Sequence, residues 1–128
     1  MNELTPYLAV RDARAAIAWY VEHLGAAVTY DPIVMPDGRV GHSELAVQDA
    51  RWMMADEHPE IQVEAPPPGR GAAVTLHLTV DDVDAVVDQV VRGGALLDRG
   101  PEDTPVGRLA VFRDPFGHRW MLNTPKAG

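Results

Sequence analysis

The side chains best equipped for chemistry are His42, Glu44 and His77. Residues 39–48 alternate apolar and polar, which predicts a strand with His42 and Glu44 on one face. His77 alternates with Leu76 and Leu78 in a second such run. Two imidazoles and a carboxylate can hold a non-haem iron ion. Without a metal, Glu44 can serve as the counter-ion of a cation, or as a general base if apolar surroundings raise its pKa. Tyr7 and His77 would supply polar handles or a proton relay. The plainer reading is a salt bridge from Glu44 to Arg51 or Arg108, with the histidines in ordinary hydrogen bonds. Nucleophilic catalysis has little to work with, because there is no cysteine. Ser43, the one serine, falls on the strand face opposite Glu44. Neither a phosphate-loop nor a dinucleotide glycine pattern occurs.

The elements that must position these residues recur. Residues 4–10 read as a strand, and Asp12 caps a helix with an apolar stripe at Ala13, Ala16, Ile17, Tyr20, Val21 and Leu24, stopped by Gly25. Trp19 falls off that stripe, as an edge-packing or interface residue. Strands follow at 26–35, 39–48 and 51–55, the first two joined by Pro36-Asp37-Gly38. After a proline-rich stretch, 57–72, the order restarts: a strand over 73–80, a helix from Asp81-Asp82 with Val83, Val86, Val87, Val90 and Val91 as its stripe, then strands at 95–99, 108–113 and 119–122. Gly100-Pro101 reads as the start of a loop. Arg51-Trp52-Met53-Met54 and Arg119-Trp120-Met121-Leu122 are one strand written twice, 119 − 51 = 68 residues apart. Leu109-Ala110-Val111 likewise echoes Leu45-Ala46-Val47. A duplicated βαβββ module follows.

The 128 residues suit one α+β domain: a first module over 1–56, a linker or flap over 57–72, and a second module over 73–125. A net charge of −8 argues against nucleic acid and favours a cationic ligand. No signal peptide or membrane-length apolar run is evident, so a cytoplasmic protein with no membrane partner is expected.

Layout and wording together resemble the vicinal oxygen chelate superfamily of glyoxalases, bleomycin-resistance proteins and extradiol dioxygenases, and within it the PhnB-like group. The resemblance is carried by Pro6-Tyr7-Leu8-Ala9-Val10, Ala16-Ile17-Ala18-Trp19-Tyr20, Leu24-Gly25-Ala26, Asp37-Gly38-Arg39-Val40-Gly41-His42 and Met54-Ala55-Asp56-Glu57-His58-Pro59. It continues through Thr75-Leu76-His77-Leu78-Thr79-Val80, Asp82-Val83-Asp84-Ala85 and Asp114-Pro115-Phe116-Gly117-His118. It implies two curved mixed sheets forming a cup, helices packed outside, sites inside the cup, and a homodimer. Thr104-Pro105-Val106-Gly107-Arg108 departs from the Phe-Trp-Gly-Asp-Arg run common in the group.

The resemblance places the superfamily's metal ligands on Thr5, Met53, Thr75 and Met121. None is His, Asp or Glu, so no divalent metal and no other cofactor is expected. The implied strand order also separates His77 from His42 and Glu44, which weighs against a rebuilt iron site. Alternation then gives the expected cup lining in two halves. Tyr7, His42, Glu44, Arg51 and Met53 come from the first module; His77, Arg108, Phe112, Arg119, Met121 and Asn123 come from the second. Trp52 and Trp120 are expected under the helices. The leading expectation is a metal-free binder of a small aromatic or cationic molecule, as in antibiotic sequestration. The alternative is a lyase, isomerase or epimerase of the glyoxalase kind, or a dioxygenase-like enzyme, with Glu44 and His77 as acid and base.

Overall fold

The structure, a computed structural model, describes residues 1–69 and 71–126; Arg70 of the expected linker lies outside them. The chain forms two compact units that meet in sequence at Pro66 and Pro67, inside the proline run. Each is a βαβββ module. The first holds β1 (Tyr7–Val10), α1 (Ala13–Leu24), β2 (Ala27–Val34), β3 (Val40–Val47) and β4 (Ala50–Asp56). The second holds β5 (Thr75–Thr79), α2 (Val83–Arg92), β6 (Leu96–Thr104), β7 (Gly107–Arg113) and β8 (Arg119–Thr124). The sheets run β1-β4-β3-β2 and β5-β8-β7-β6, so the doubled Trp-Met strand sits second in each, with a parallel neighbour on one side and an antiparallel one on the other.

Both helices start in the same way. Asp12 and Asp82 have nearly identical extended backbones, and each carboxylate accepts the amide hydrogen of the third residue on, Ala15 or Ala85, at 3.1 Å. Gly25 ends α1 at φ +74°, a left-handed conformation that glycine adopts without a Cβ penalty. Each helix buries one face on its sheet. In the first unit Tyr20 meets Trp52 edge to face, ring centroids 5.3 Å apart, among Val10, Leu45 and Met54. In the second, Trp120 stacks parallel to Phe112 at 6.3 Å, among Val83, Val90 and Leu122. Trp19 is buried as well, against Tyr20 and His23, although it lies off the apolar stripe. Val21 and Val91, which the stripes include, are exposed.

Two carboxylates hold backbone where strands and helix meet. Asp56, at the end of β4, accepts the amide hydrogens of Ala13 and Val40 at 2.7 Å each, tying α1 and β3 to β4. Asp114 organises the Asp-Pro-Phe-Gly-His turn. One of its oxygens accepts from the amides of Phe116 and His118, and the other from the Trp120 indole at 2.9 Å. The turn is therefore built to present β8.

Several boundaries differ from the sequence expectation. Strand β6 does not stop at Gly100-Pro101 but continues to Thr104 through two register irregularities along β7. A Cβ at Gly100 would stand 2.4 Å from the Leu109 carbonyl oxygen, so only glycine lets the chain pass there. The stretch after β4 contains a short 3₁₀ turn at Pro59–Ile61. No helix among the described residues is long and apolar enough to cross a membrane.

Because Asp114 is buried and satisfies three donors, Asp114→Ala is expected to lower the unfolding free energy by about 2–4 kcal/mol. Urea titration followed by tryptophan fluorescence measures this; a loss below about 0.5 kcal/mol would show that the turn does not depend on the carboxylate.

Candidate functional site

Each sheet has one face under its helix and one turned away from it. Register places a single row of side chains across the helix-free face of the first unit. Tyr7 pairs with Met53, Met53 with Glu44, and Glu44 with Tyr30. His42 lies two residues from Glu44 on the same face, paired with Ile33. The sheet thus gathers the residues expected from alternation in this module: Tyr7, His42, Glu44 and Met53. Arg51 shares their face, opposite Ala46, but is exposed and ion-paired with Glu3.

The polar groups in the row form a chain. The Tyr7 hydroxyl donates to the Gly41 carbonyl at 3.0 Å and lies 2.9 Å from Nδ1 of His42. On the other side of the ring, Nε2 lies 2.9 Å from Oε2 of Glu44. Donor counting constrains this arrangement. If the tyrosine proton goes to Gly41, Nδ1 must carry a proton to bond the phenol oxygen, and Nε2 carries another toward the carboxylate. All three bonds therefore coexist only when one proton sits on Nδ1 and another lies between Nε2 and the Glu44 carboxylate. With a proton on Nε2 alone, keeping the Tyr7–His42 bond requires the Tyr7 hydroxyl to turn from Gly41 toward Nδ1. One proton re-aims the phenol.

Two aromatic rings flank His42. Tyr7 lies 5.5 Å away, tilted, and Tyr30 lies 5.9 Å away, edge on. Both are about half exposed, at 51% and 52%, so they offer ring surface to a ligand. Tyr30 was absent from the sequence expectation. Its strand contains Pro32 and three register irregularities, which hide the alternation. Within its own module Glu44 pairs with His42 and not with Arg51, which pairs with Glu3, while Arg108 pairs with Asp84 and Asp103 in the second module.

The corresponding row in the second unit is His77, Met121, Val111 and Arg99. His77 and Tyr7 thus hold equivalent places, as do Met121 and Met53. Arg119 and Asn123 share this face, and the buried Asn123 side-chain oxygen has no hydrogen-bond donor among the described residues. Two expected lining residues do not belong here. Phe112 is fully buried on the helix side against Trp120, and Arg108 reaches Asp84 at the start of α2 at 2.6 Å. Hydrogen bonds from Arg108 hold the Asp84 carboxyl below its ordinary range. The error has a definite source. Matching Leu109 to Leu45 is a shift of 64, whereas the ladders equate Val111 with Glu44, opposite the two methionines, a shift of 67. An odd difference of three inverts every side chain on the strand.

Thr5 precedes β1, and Thr75 pairs with Arg119, whose guanidinium donates to the Thr75 hydroxyl at 2.8 Å. Among the described residues no three His, Cys, Asp or Glu side chains gather as a metal would require. His42 and Glu44 come together in the first unit, and His77 belongs to the second.

Residues 2–122 match the model of the Glyoxalase/Bleomycin resistance protein/Dioxygenase superfamily. The chain belongs to that superfamily. An uncharacterized protein of Mycobacterium bovis is 37% identical over 126 residues, covering 95% of this chain and 82% of the relative. Among solved structures, protein PA1353 of Pseudomonas aeruginosa aligns with a TM-score of 0.75 at 22% identity, over 99% of this chain and 100% of that one. TnmS3, an antibiotic binding protein from Streptomyces sp. CB03234, aligns with a TM-score of 0.66 at 28% identity, over 98% of both chains. The fold expected from the resemblance is thereby established, two α+β modules of the superfamily type.

Burial, first, and the Glu44 carboxylate, second, raise the Tyr7 pKa above its usual 10.0. Glu44→Gln should therefore lower it, though not to the ordinary value, because burial remains. Tyrosinate absorbance against pH, with Tyr7→Phe to identify the transition, measures this; an unchanged or higher midpoint would contradict the contact.

Proposed function

We propose that this protein binds a small aromatic or cationic molecule on the helix-free face of its first module, in the manner of an antibiotic-binding superfamily member. The row of Tyr7, Met53, Glu44 and Tyr30 around His42 carries the reading. Half-exposed tyrosine rings provide stacking and cation–π surface, and Met53 repacks around different shapes. Glu44 gives a cation its counter-charge, and the net charge of −8 draws it in. The likeness to TnmS3, which is itself an antibiotic binding protein, supports the same reading.

The binding is metal-free in this proposal. Thr5, Met53, Thr75 and Met121 stand where the resemblance puts the superfamily ligands, and two hydroxyls with two thioethers do not suit a divalent ion. Arg119 sets a fixed positive charge on one of those hydroxyls. The protein acts as a homodimer in the cytoplasm, with neither nucleic acid nor membrane as partner.

The Tyr7–His42–Glu44 chain favours one second reading, a metal-free isomerase or epimerase. A carboxylate-backed imidazole within hydrogen-bonding reach of a phenol can take a proton from a substrate and return it. His77, in the other module's row, is not needed for this relay.

Titration calorimetry against cationic glycopeptide and planar aromatic antibiotics should give saturable binding. Glu44→Gln should weaken cationic ligands roughly tenfold and Tyr30→Ala should weaken aromatic ones. Equal weak heats for all proteins and ligands would end the binding reading. Turnover of 2-oxo aldehyde–thiol adducts or acyl-CoA epimers, abolished in Glu44→Gln, would replace it with the enzymatic one.

A further inference from the structure

We infer that the helix-free face of the second module holds a site for a small oxyanion, the carboxylate or phosphoryl group of a ligand, formed by Arg113 and Arg119 beside Thr75. The two arginines face one another across the β7–β8 ladder. Both turn to a single acid: Asp98 Oδ2 lies 3.2 Å from Nε of Arg113 and 3.6 Å from Nε of Arg119. Two guanidinium groups against one carboxylate leave a local charge of 2 − 1 = +1, in a chain whose acids exceed its bases by eight.

The surplus sits on partly shielded side chains. The Arg113 side chain is only 10% exposed and Arg119 is 30% exposed, and a buried charge lacking full compensation favours an added counter-ion. Each guanidinium has five N–H donors. Arg113 uses one on Asp98 and one on the Gly69 carbonyl at 3.1 Å, and Arg119 uses one on the Thr75 hydroxyl. No nitrogen that remains is sealed from solvent without a partner. These contacts fix both planar groups in orientation while leaving donors free, which suits the paired oxygens of a carboxylate or phosphate better than a point charge would.

The repeat supplies an internal control. Arg113 opposite Arg119 corresponds in the first module to Ala46 opposite Arg51. The same ladder position therefore tolerates alanine, and the architecture does not require a second arginine there. Arg51 is exposed and paired with Glu3. The doubled guanidinium is particular to the second module. All of its members belong to the second module, so the site does not rest on the function proposed above.

The test follows the arginine Nε–Hε resonances of the full chain by NMR. Inorganic phosphate and benzoate are titrated separately, with sodium chloride holding ionic strength constant. At least one anion should shift Arg113 and Arg119 saturably, and the stronger arm identifies phosphoryl or carboxylate as the preferred group. Arg119→Gln should weaken that binding roughly tenfold or more, and Arg119→Lys, which keeps the charge but loses the fork, should fall between. The amide spectrum reports whether each variant is folded. Absence of a saturable shift in the wild type with either anion overturns the site, as does a folded Arg119→Gln that binds as tightly as the wild type.

Discussion

Strand parity is the constraint on which everything else in this protein rests. β4 and β8 are paired on both sides, so each fixes which residues of its neighbours look toward the helix and which look away. An indole at Trp52 or Trp120 must go under the helix, where it fills space against Tyr20 or Phe112. The next residue, Met53 or Met121, must then appear on the opposite face. Once those strands are set, Tyr7, Glu44 and Tyr30 align with Met53, while His77, Val111 and Arg99 align with Met121. A single-residue slip would exchange core and site. Asp56 and Asp114 guard against it by binding backbone at the strand ends.

Parity also explains what could be read from the sequence. The doubled Trp-Met strand, the two aspartate caps and the helical stripes are local signals, and each maps onto its element. The faces of β1, β3, β4 and β8 follow from alternation alone, which is why Tyr7, His42, Glu44, Met53 and Met121 fall on the helix-free faces as alternation predicts. The edge strands do not yield to it. β2 carries Pro32 and β6 carries Gly100 and Pro101, and both drift in register along their neighbours. Tyr30 and Asp98 were hidden there. On β7 the phase of the alternation is ambiguous, because Leu109, Ala110, Val111 and Phe112 are all apolar, and matching Leu109 to Leu45 selected the wrong phase. Arg108 and Phe112 were assigned to the wrong side for that reason. Arg113 was lost with them.

Pairing preferences could not be read from composition either. Glu44 has arginines available in sequence, yet its partner is His42, two residues along the same strand. Side chains at i and i+2 share a face, so the contact needs no long side chain to be immobilised. Arg51 and Arg108 instead meet acids nearer their own strand ends. The consequence is chemical. An arginine would have held Glu44 in an ion pair alone, whereas the histidine ring links it through to Tyr7.

Duplication gives the two helix-free faces a common scaffold, and their differences show what each has become. Equivalent places hold Tyr7 and His77, Glu44 and Val111, Tyr30 and Arg99, Ala46 and Arg113. The first face collects aromatic rings around a carboxylate; the second loses the carboxylate and gains guanidinium groups. Only the methionines are shared in the central row, at the positions where the superfamily resemblance places metal ligands. A divalent metal calls for anionic or imidazole donors around it. Methionine thioethers impose no such donor set on the rest of either row. The same ladder geometry thus presents an aromatic row with a carboxylate on one module and a guanidinium pair on the other.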